Sequence, residues 1–317
     1  YDRALQQQGL TDKKLRQSIA RDLVREQLIK PITGALAVPD GVAELYARLL
    51  VDRHEGAVAT IPAPPAVDQS GFFVTRSKDQ LVFVPLGGLG EIGMNAYVYG
   101  YGPAGKERLI LVDMGVTFPD MDSSPGVDLI LPDLSWLVEN LDRLDGIVIT
   151  HAHEDHIGAL GHLWPLLKKP VYARKFTASI GRLKFEEAGL PLDAIHTLEA
   201  RPAAVEIGPF TVQFLPMPHS IPESSGLIID SPAGRILHTG DFKRDPSPIV
   251  GEGWDDAMLE AVAAETPVKA MMCDSTNVFS LNPGRSEASL AEPLTELIRG
   301  ASGMVVATTF ATNVDRL

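Results

Sequence analysis

The sequence has little cysteine, little positive charge and no long hydrophobic run. A single cysteine, Cys273, excludes a disulfide framework and a cysteine-built zinc site, and it suits a reducing cytoplasm. Lys and Arg number 28 against 41 Asp and Glu, so the net charge of −13 excludes a globally basic surface for nucleic acid. Any contact with nucleic acid therefore has to be local. No apolar run approaches the roughly 18 residues of a membrane-spanning helix, so no membrane association is expected.

What is present divides the chain into two parts joined by a linker. Residues 1–62 show helical spacing of apolar residues and predict a small helical segment. Residues 63–80 begin Ala63-Pro64-Pro65 and predict an extended, proline-rich linker. From residue 81 onward, short β-rich runs mix with a few helices, which favours a layered α/β or α+β domain.

Strands and helices are predicted for this second part from the period of its apolar residues. The predicted strands are Leu81–Leu86, Asn95–Gly100, Arg108–Asp113, Gly146–Thr150, Val171–Arg174, Phe210–Leu215, Gly226–Ile229, Arg235–His238, Ala270–Cys273 and Met304–Thr308. The predicted helices are Asp133–Leu141, Ile157–Leu167, Thr177–Ala188 and Glu287–Ile298.

Residues Gly88–Gly93 match the G-x-G-x-x-G pattern of dinucleotide-binding proteins. That mechanism needs a helix directly after the glycines, whose N-terminus receives the pyrophosphate. The following segment, Asn95–Pro103, is aromatic and β-branched and is broken by Gly and Pro. We therefore expect a tight glycine turn between two strands and no dinucleotide site.

The chemistry is concentrated in Thr150-His151-Ala152-His153-Glu154-Asp155-His156, at the end of a predicted strand. Imidazole and carboxylate groups at this density predict a metal site, because burying them without a metal would leave mutual repulsion and unsatisfied donors. One cluster cannot close two sites, so further ligands are expected from other strand ends. The candidates are His219 and Asp241.

Other polar residues receive different predictions. Asp113 ends an apolar strand, where a carboxylate commonly orients a metal-binding histidine through its second ring nitrogen. His238 is expected to be structural. Lys243 and Arg244 follow Asp241 closely and are candidates to meet a phosphate backbone.

The H-x-H-x-D-H string, with an Asp before it and a His and then an Asp after it, resembles the metallo-β-lactamase superfamily. Within it, the closer resemblance is to the ribonuclease J group of the β-CASP branch, and it covers about residues 80–317. The motifs that carry it are Leu86–Asn95, Thr150–Gly158, His219–Ser224, His238–Lys243 and Asp274-Ser275-Thr276-Asn277. The resemblance implies a four-layer αββα sandwich over residues 81–302 and the start of a β-CASP insertion over residues 303–317.

Carried over residue by residue, the resemblance implies two zinc ions. One is held by His151, His153, His219 and Asp241, and the second by Asp155, His156 and a bridging Asp241. Asp155 is expected to orient or deprotonate the attacking water. Asp274 matches the acidic residue that opens the β-CASP signature, and a catalytic role is expected for it.

The implied function is a cytoplasmic, zinc-dependent ribonuclease, acting as a 5′–3′ exonuclease, an endonuclease or both, with RNA as its partner. A metal-activated hydroxide would attack the phosphodiester. The chain starts at Tyr1 without Met and stops at Leu317 after a strand-like run, so we expect a fragment. The family's later histidine and its pocket for the RNA 5′ phosphate would then lie beyond Leu317, leaving the second zinc site incomplete.

Residues 1–62 stand outside that resemblance. They are similar to the helical N-terminal region of SurA/PpiD-type periplasmic peptidyl-prolyl isomerases, which implies binding of unfolded peptides. Two alternatives therefore stay open. One is a metallo-hydrolase of small esters, thioesters or lactams, and the other is an inactive, truncated chain with a protein-binding helical arm. Homo-oligomerisation is also left open.

Overall fold

The computed structural model describes residues 79–119, 126–280, 284–309 and 313. The helices predicted for residues 1–62 and nearly all of the predicted linker lie outside these residues. No helix within the described residues is long and apolar enough to cross a membrane.

The first sheet has six strands in the order β1-β2-β3-β4-β5-β6. Neighbours are antiparallel from β1 to β3 and parallel from β3 to β6. The strands are β1 (Asp79–Gly87), β2 (Ala96–Pro103), β3 (Arg108–Val112), β4 (Leu144–Ile149), β5 (Val171–Ala173) and β6 (Ile195–Thr197).

The second sheet has five strands in the order β11-β10-β9-β8-β7. All neighbours are antiparallel except β10 and β11, which are parallel. The strands are β7 (Val205–Ile207), β8 (Phe210–Pro216), β9 (Ser225–Ser231), β10 (Gly234–His238) and β11 (Val268–Met272).

Six α-helices lie within the described residues. They are α1 (Ser135–Glu139), α2 (Glu154–Ile157), α3 (Leu160–Leu167), α4 (Lys175–Glu187), α5 (Asp256–Glu265) and α6 (Ala291–Gly300). Short 3-10 turns cover Leu192–Ala194 and Glu287–Ser289.

Alternation along the strands builds the layers, because successive side chains point to opposite faces of a sheet. Residues Tyr99, Ile110 and Val112 of the first sheet pack between the sheets against apolar side chains of β8 and β9. The opposite face of the first sheet packs against α3 and α4, through Trp164 and Phe185. Val262 of α5 packs with Leu215 and Ile228 on the outer face of the second sheet. The predicted four-layer αββα sandwich is confirmed.

The element predictions are largely confirmed. All predicted strands before residue 304 are present, and β6, β7 and α5 were not predicted. The predicted helix Ile157–Leu167 starts earlier, at Glu154, and is interrupted before Leu160 because the amide of Ala159 donates to the carbonyl of Met114 instead (2.9 Å).

The predicted strand Met304–Thr308 is wrong. These residues have no regular structure, and 91% of Met304 is exposed. An apolar, β-branched run becomes a strand only beside a partner that satisfies its backbone groups. No strand within the described residues pairs with it.

The glycine segment Gly88–Gly93 forms the loop between β1 and β2, and a strand follows it, as predicted. Gly93 has a φ of +116°, and a Cβ there would lie 2.4 Å from the Oγ1 of Thr117. The glycine therefore permits a close approach between two loops, and no phosphate-binding helix follows.

Candidate metal centre

The predicted ligands converge where strands of both sheets end. The histidine cluster follows β4, and Asp113 follows β3, its parallel neighbour, so both leave the same edge of the first sheet. His219 follows β8, and Asp241 follows β10, both from the second sheet. The candidate centre therefore lies at the junction of the two sheets.

Backbone hydrogen bonds fix the path of the loop that carries the cluster. The carbonyls of Glu154 and His156 accept from the amides of Val116 and Met114, at 3.0 and 2.8 Å. The approach is so close at Gly115 that a Cβ would lie 1.6 Å from the carbonyl oxygen of Asp155. The cluster is thus held by its own main chain against the segment after β3.

Three histidines form one half of the centre. His153 Nδ1 lies 3.2 Å from His151 Nε2 and 3.1 Å from His219 Nε2. Burial lowers the pKa of all three, well below the ordinary value for His151 and to about 4 for His219. These imidazoles are therefore neutral near pH 7, and a neutral imidazole has the lone pair that a metal needs.

His156 and its carboxylate neighbours form the other half. His156 Nε2 lies 3.4 Å from Asp155 Oδ2 and 3.3 Å from Asp241 Oδ1. Burial lowers the pKa of His156, but the charge and hydrogen bond of Asp113, together with the other two carboxylates, outweigh it and raise this pKa well above its usual range. The same concentration of negative charge favours any cation at this point.

Opposing effects of burial and of neighbouring charge also set the pKa of Asp241. Burial alone would raise the pKa of its carboxyl group, but the hydrogen bond and charge of His156 prevail and lower the pKa to about 2. Its other oxygen, Oδ2, lies 3.7 Å from His219 Nε2. Asp241 is therefore ionised and lies between the two halves, where a bridging ligand would be placed.

Asp113 is completely buried and contacts two groups of the cluster. Its Oδ2 accepts from His156 Nδ1 (2.8 Å), and its Oδ1 accepts from the backbone amide of Thr150 (2.8 Å). The hydroxyl of Thr150 also lies 2.9 Å from Asp113 Oδ2 and 3.0 Å from His151 Nδ1. This places Asp113 where a residue that orients a metal-binding imidazole is expected.

Two residues without a predicted role, Asn95 and Thr150, also contact the centre. Asn95 Nδ2 lies 3.0 Å from both His156 Nε2 and the carbonyl oxygen of Asp155, and its Oδ1 accepts from the Tyr97 hydroxyl (2.7 Å). Thr150 could have been found, because it and Asp113 end neighbouring strands. Asn95 sits 60 residues before its partner Asp155, and local spacing gives no signal for such a contact.

His238 and Asp274 lie near the centre but outside the converging donors. The ring of His238 is buried, and its Nδ1 lies 2.8 Å from the hydroxyl of Tyr99, which fits the predicted structural role. Asp274 Oδ1 accepts from the amide and hydroxyl of Thr276, at 2.8 and 2.7 Å. Asp274 thereby shapes its own loop at the rim of the neighbouring cleft.

That cleft, with a volume of about 440 Å³, opens on the candidate centre. Its walls include the glycine loop, the segment after β11 and the residues Asp155, His156 and Asp241. The glycine loop carries Leu89 and Ile92, both largely exposed. The centre is therefore accessible to a ligand from this side.

The basic residues proposed to meet phosphates are already paired. Lys243 Nζ lies 2.9 Å from Glu287 Oε1, and Arg244 lies 3.2 Å from Asp256 and over the ring of Trp254. Both side chains are thus ion-paired with acidic neighbours, and neither of them lines the cleft.

The residues present fit a metal ion. There are two groups of three donor residues, and within each group the donor atoms lie within 4.8 Å of one another. The first group is His151, His153 and His219, and the second is His151, His156 and Asp241. Imidazoles and an ionised carboxylate are a suitable donor set for zinc and similar divalent metals, and a bound metal would displace the proton that the carboxylates favour on His156. Asp155 belongs to neither group and reaches the centre through its contact with His156.

Comparison with known proteins agrees with this geometry. The model of the metallo-beta-lactamase superfamily matches residues 89–272. The chain is 44% identical over 241 residues to ribonuclease J of Sinorhizobium meliloti, which covers 75% of this chain and 42% of that protein. It is 37% identical over 247 residues to ribonuclease J of Thermus thermophilus, covering 76% and 42%.

Among solved structures, a protein of unknown function from Enterococcus faecalis V583 matches with a TM-score of 0.45 and 19% identity, covering 69% of this chain and 57% of that one. The chain spans about two fifths of the length of the curated relatives named above. The family match covers the whole histidine cluster, both remaining ligand candidates and most of both sheets. By this match and by its four-layer fold, the chain belongs to the metallo-β-lactamase superfamily.

Proposed function

We propose that this chain provides the metal-binding part of a zinc-dependent ribonuclease that hydrolyses RNA phosphodiesters, as a 5′–3′ exonuclease, an endonuclease or both. The observation that carries the proposal is the pair of donor groups that share His151, together with the open cleft that two of their members, His156 and Asp241, line. The relatives named ribonuclease J support RNA as the substrate. The single exposed cysteine supports a reducing, cytoplasmic setting.

The chain's own residues have distinct tasks in this proposal. His151, His153 and His219 would hold one zinc ion with Asp241, and His156 and Asp155 would hold the second with the same aspartate. When bound, the metals supply a hydroxide nucleophile at neutral pH and offset negative charge on the phosphodiester. Asp113 keeps a proton on His156 Nδ1, so that the other ring nitrogen, Nε2, is the one available to a metal.

Asp155 and Asp274 act on the cleft side of the centre. Asp155 Oδ2 lies beside His156 and faces the cleft, where it can accept the proton of the attacking water. Asp274 holds the loop that follows it, in which Ser275 and Thr276 line the cleft, and this loop would guide the RNA strand toward the centre. No protein nucleophile is required, because the attacking oxygen would come from a water molecule deprotonated at the centre.

The test is cleavage of a 5′-monophosphorylated RNA by chain purified with zinc, beside metal content per chain measured by mass spectrometry. We expect His153→Ala to lose RNA cleavage and one of the two zinc ions, because it removes the histidine between His151 and His219. His162→Ala, an exposed histidine, is the matched control and retains cleavage and both ions. Cleavage retained in His153→Ala would refute the proposal. Turnover of a thioester without RNA cleavage would assign the centre to small-molecule hydrolysis.

A further inference from the structure

Gly88, the first residue of the glycine loop, leaves room for two polar side chains that meet beside it. A Cβ at this position would lie 2.2 Å from Asn95 Oδ1 and 2.6 Å from the hydroxyl oxygen of Tyr97. Any residue other than glycine would therefore push these two groups apart. The loop thus serves a contact between Asn95 and Tyr97, which in turn lies against the candidate centre.

The neighbours of Asn95 allow its side-chain amide only one orientation. The carbonyl oxygen of Asp155 can only accept and lies 3.0 Å from Nδ2, so the amide presents its donor end to the histidine cluster. Oδ1 then accepts from the hydroxyl of Tyr97 (2.7 Å). The alternative acceptor for that hydroxyl, the carbonyl oxygen of Gly88, is farther away at 3.2 Å. Tyr97 therefore fixes which end of the amide faces the centre.

The main chain of Asn95 is held as firmly as its side chain. Its backbone amide donates to the carbonyl of Asp155 (2.9 Å), and its carbonyl accepts from the amide of Gly115 (2.9 Å). The residue is 9% exposed. Asn95 is therefore tied to the loop of the cluster and to the segment after β3 at the same time.

The second N–H of the Asn95 amide is directed at the carboxylate side of the centre. Nδ2 lies 3.0 Å from His156 Nε2 and 3.4 Å from Asp155 Oδ2. A ring nitrogen that gives its lone pair to a metal no longer accepts a hydrogen bond. Of these two atoms, the Asp155 carboxylate oxygen is then the acceptor that remains. A hydrogen bond there would hold the carboxylate in place beside His156.

We propose that Asn95 is a positioning residue for the half of the centre formed by His156, Asp155 and Asp241, and that the Tyr97 hydroxyl keeps Asn95 in its working orientation. Asn95 acts through the carboxylate of Asp155. Its part in RNA hydrolysis rests on the proposed ribonuclease function. Loss of Asn95 should therefore weaken the metal ion of this half and spare the ion of the three-histidine half.

The test is titration of the metal-free chain with cobalt(II), whose visible absorption reports on the ligands of each bound ion. His153→Ala assigns the absorption, because it removes a ligand of the three-histidine half only. We expect Asn95→Ala to weaken the ion that persists in His153→Ala by about 10- to 100-fold, the usual effect of losing a residue that orients a ligand. The affinity of the other ion should not change.

Asn140→Ala is the matched control. Like Asn95, Asn140 uses both ends of its amide, because its Nδ2 donates to the carbonyl of Trp136 (2.8 Å) and its Oδ1 accepts from Arg143 Nη1 (2.9 Å). Urea denaturation of the metal-free variants shows whether both remain folded. Equal weakening of both ions in Asn95→Ala would mean a merely structural role, and this result or unchanged affinities would overturn the proposal.

Two glycine variants test the contact between Asn95 and Tyr97. Gly88 and Gly90 have nearly the same φ, +79° and +77°, so alanine brings similar backbone strain at both positions. A Cβ at Gly90 meets no atom within 4 Å, whereas at Gly88 it collides with both side chains. We expect Gly88→Ala to weaken the same ion as Asn95→Ala, and Gly90→Ala to bind both ions normally. Equal affinities in the two glycine variants would overturn the role of this contact.

The role of Tyr97 is tested by combining substitutions. Tyr97→Phe removes only the hydroxyl and should weaken the same ion as Asn95→Ala. Because Tyr97 acts through Asn95, the double variant should bind this ion no more weakly than Asn95→Ala alone. Additive losses would give Tyr97 an independent effect and contradict the proposed order of contacts.

The readout is metal binding, so this inference and the proposed function can fail separately. Selective weakening of one ion in Asn95→Ala, in a chain that cleaves no RNA, would preserve the positioning role and count against the ribonuclease. Cleavage of RNA by a chain whose metal affinities do not depend on Asn95 would do the reverse.

Discussion

Asp113 Oδ2 lies 2.8 Å from His156 Nδ1, and both side chains are almost completely removed from solvent. Since a carboxylate only accepts, the ring donates through Nδ1, and this leaves Nε2 pointing at Asp155 and Asp241. The contact thus decides which nitrogen of the ring is available to a metal. It also links the residue that follows β3 to the helix α2.

Replacing Asp113 with Asn tests this relationship. The amide keeps the shape of the side chain but loses the charge that fixes the ring of His156. We expect metal affinity to fall by about 10- to 100-fold, the usual effect of losing a residue that orients a ligand. Affinity is measured by competition with a chromogenic chelator. Asp193→Asn, at an exposed position, is the control, and equal affinities in the two variants would show that Asp113 does not orient the site.

Gly115→Ala tests whether the main chain holds the cluster. A Cβ at this position would lie 1.6 Å from the carbonyl oxygen of Asp155, so either the loop or the segment after β3 has to move. We expect a loss of about 1–3 kcal/mol in the free energy of unfolding, together with weaker metal binding. Urea denaturation measures the first quantity.

The matched control is Gly300→Ala at the end of α6, where a Cβ would meet no atom within 4 Å. Its free energy of unfolding should stay within about 1 kcal/mol of the unsubstituted chain. Full metal affinity in Gly115→Ala would mean that the cluster does not depend on this close approach.

Tyr99→Phe tests the structural role of His238. Without the hydroxyl, the buried His238 Nδ1 loses its 2.8 Å partner, and we expect a loss of about 1–3 kcal/mol in the free energy of unfolding. Metal content should not change, because neither residue belongs to the converging donors. Tyr101→Phe, whose hydroxyl makes a longer and exposed contact with Asp79, should change stability by no more than about 0.5 kcal/mol. Loss of zinc from Tyr99→Phe would assign His238 to the centre itself.

Removing the metal should destabilise the chain, because the donors converge only when both sheets are folded. At a free metal concentration 100 times its Kd, a ligand of the folded state stabilises it by about 2.7 kcal/mol. For a domain of this size, that corresponds to a shift of about 5–10 °C in Tm. Differential scanning calorimetry with zinc and with chelator measures the shift. The shift in Tm should be smaller in His153→Ala, which loses a ligand of one of the two proposed sites, and should be unchanged in His162→Ala.

The fold could be predicted to the extent that local pattern determines it. Runs such as Arg108–Asp113 and Gly146–Thr150 are apolar and end in polar residues, and both became strands whose ends carry the site. The run Met304–Thr308 looks equally strand-like, but pairing depends on a neighbour that local pattern does not reveal. The helix α5 was missed, although Asp255 caps it by accepting from the Met258 amide.

The residues of the candidate site also fall into those that local sequence pattern predicts and those that it does not. His151, His153 and His156 lie within six residues, so their proximity follows from chain connectivity alone. His219 and Asp241 were found because they follow strands, and the resemblance to a family supported them. Asn95 reaches the centre through contacts between distant segments, and no local spacing marks it. The pairing of Lys243 with Glu287, 44 residues away, was hidden from the sequence for the same reason.

Because the first sheet supplies some of the candidate ligands and the second sheet supplies the others, the separation of the sheets can change the site over evolutionary time. Substitutions in the core between the sheets, far from any donor atom, can alter their separation by fractions of an ångström. Such a shift moves His219 and Asp241 together relative to the cluster after β4. Metal preference and reactivity can therefore drift through apolar replacements at positions such as Val112 or Phe214, while every ligand residue stays the same.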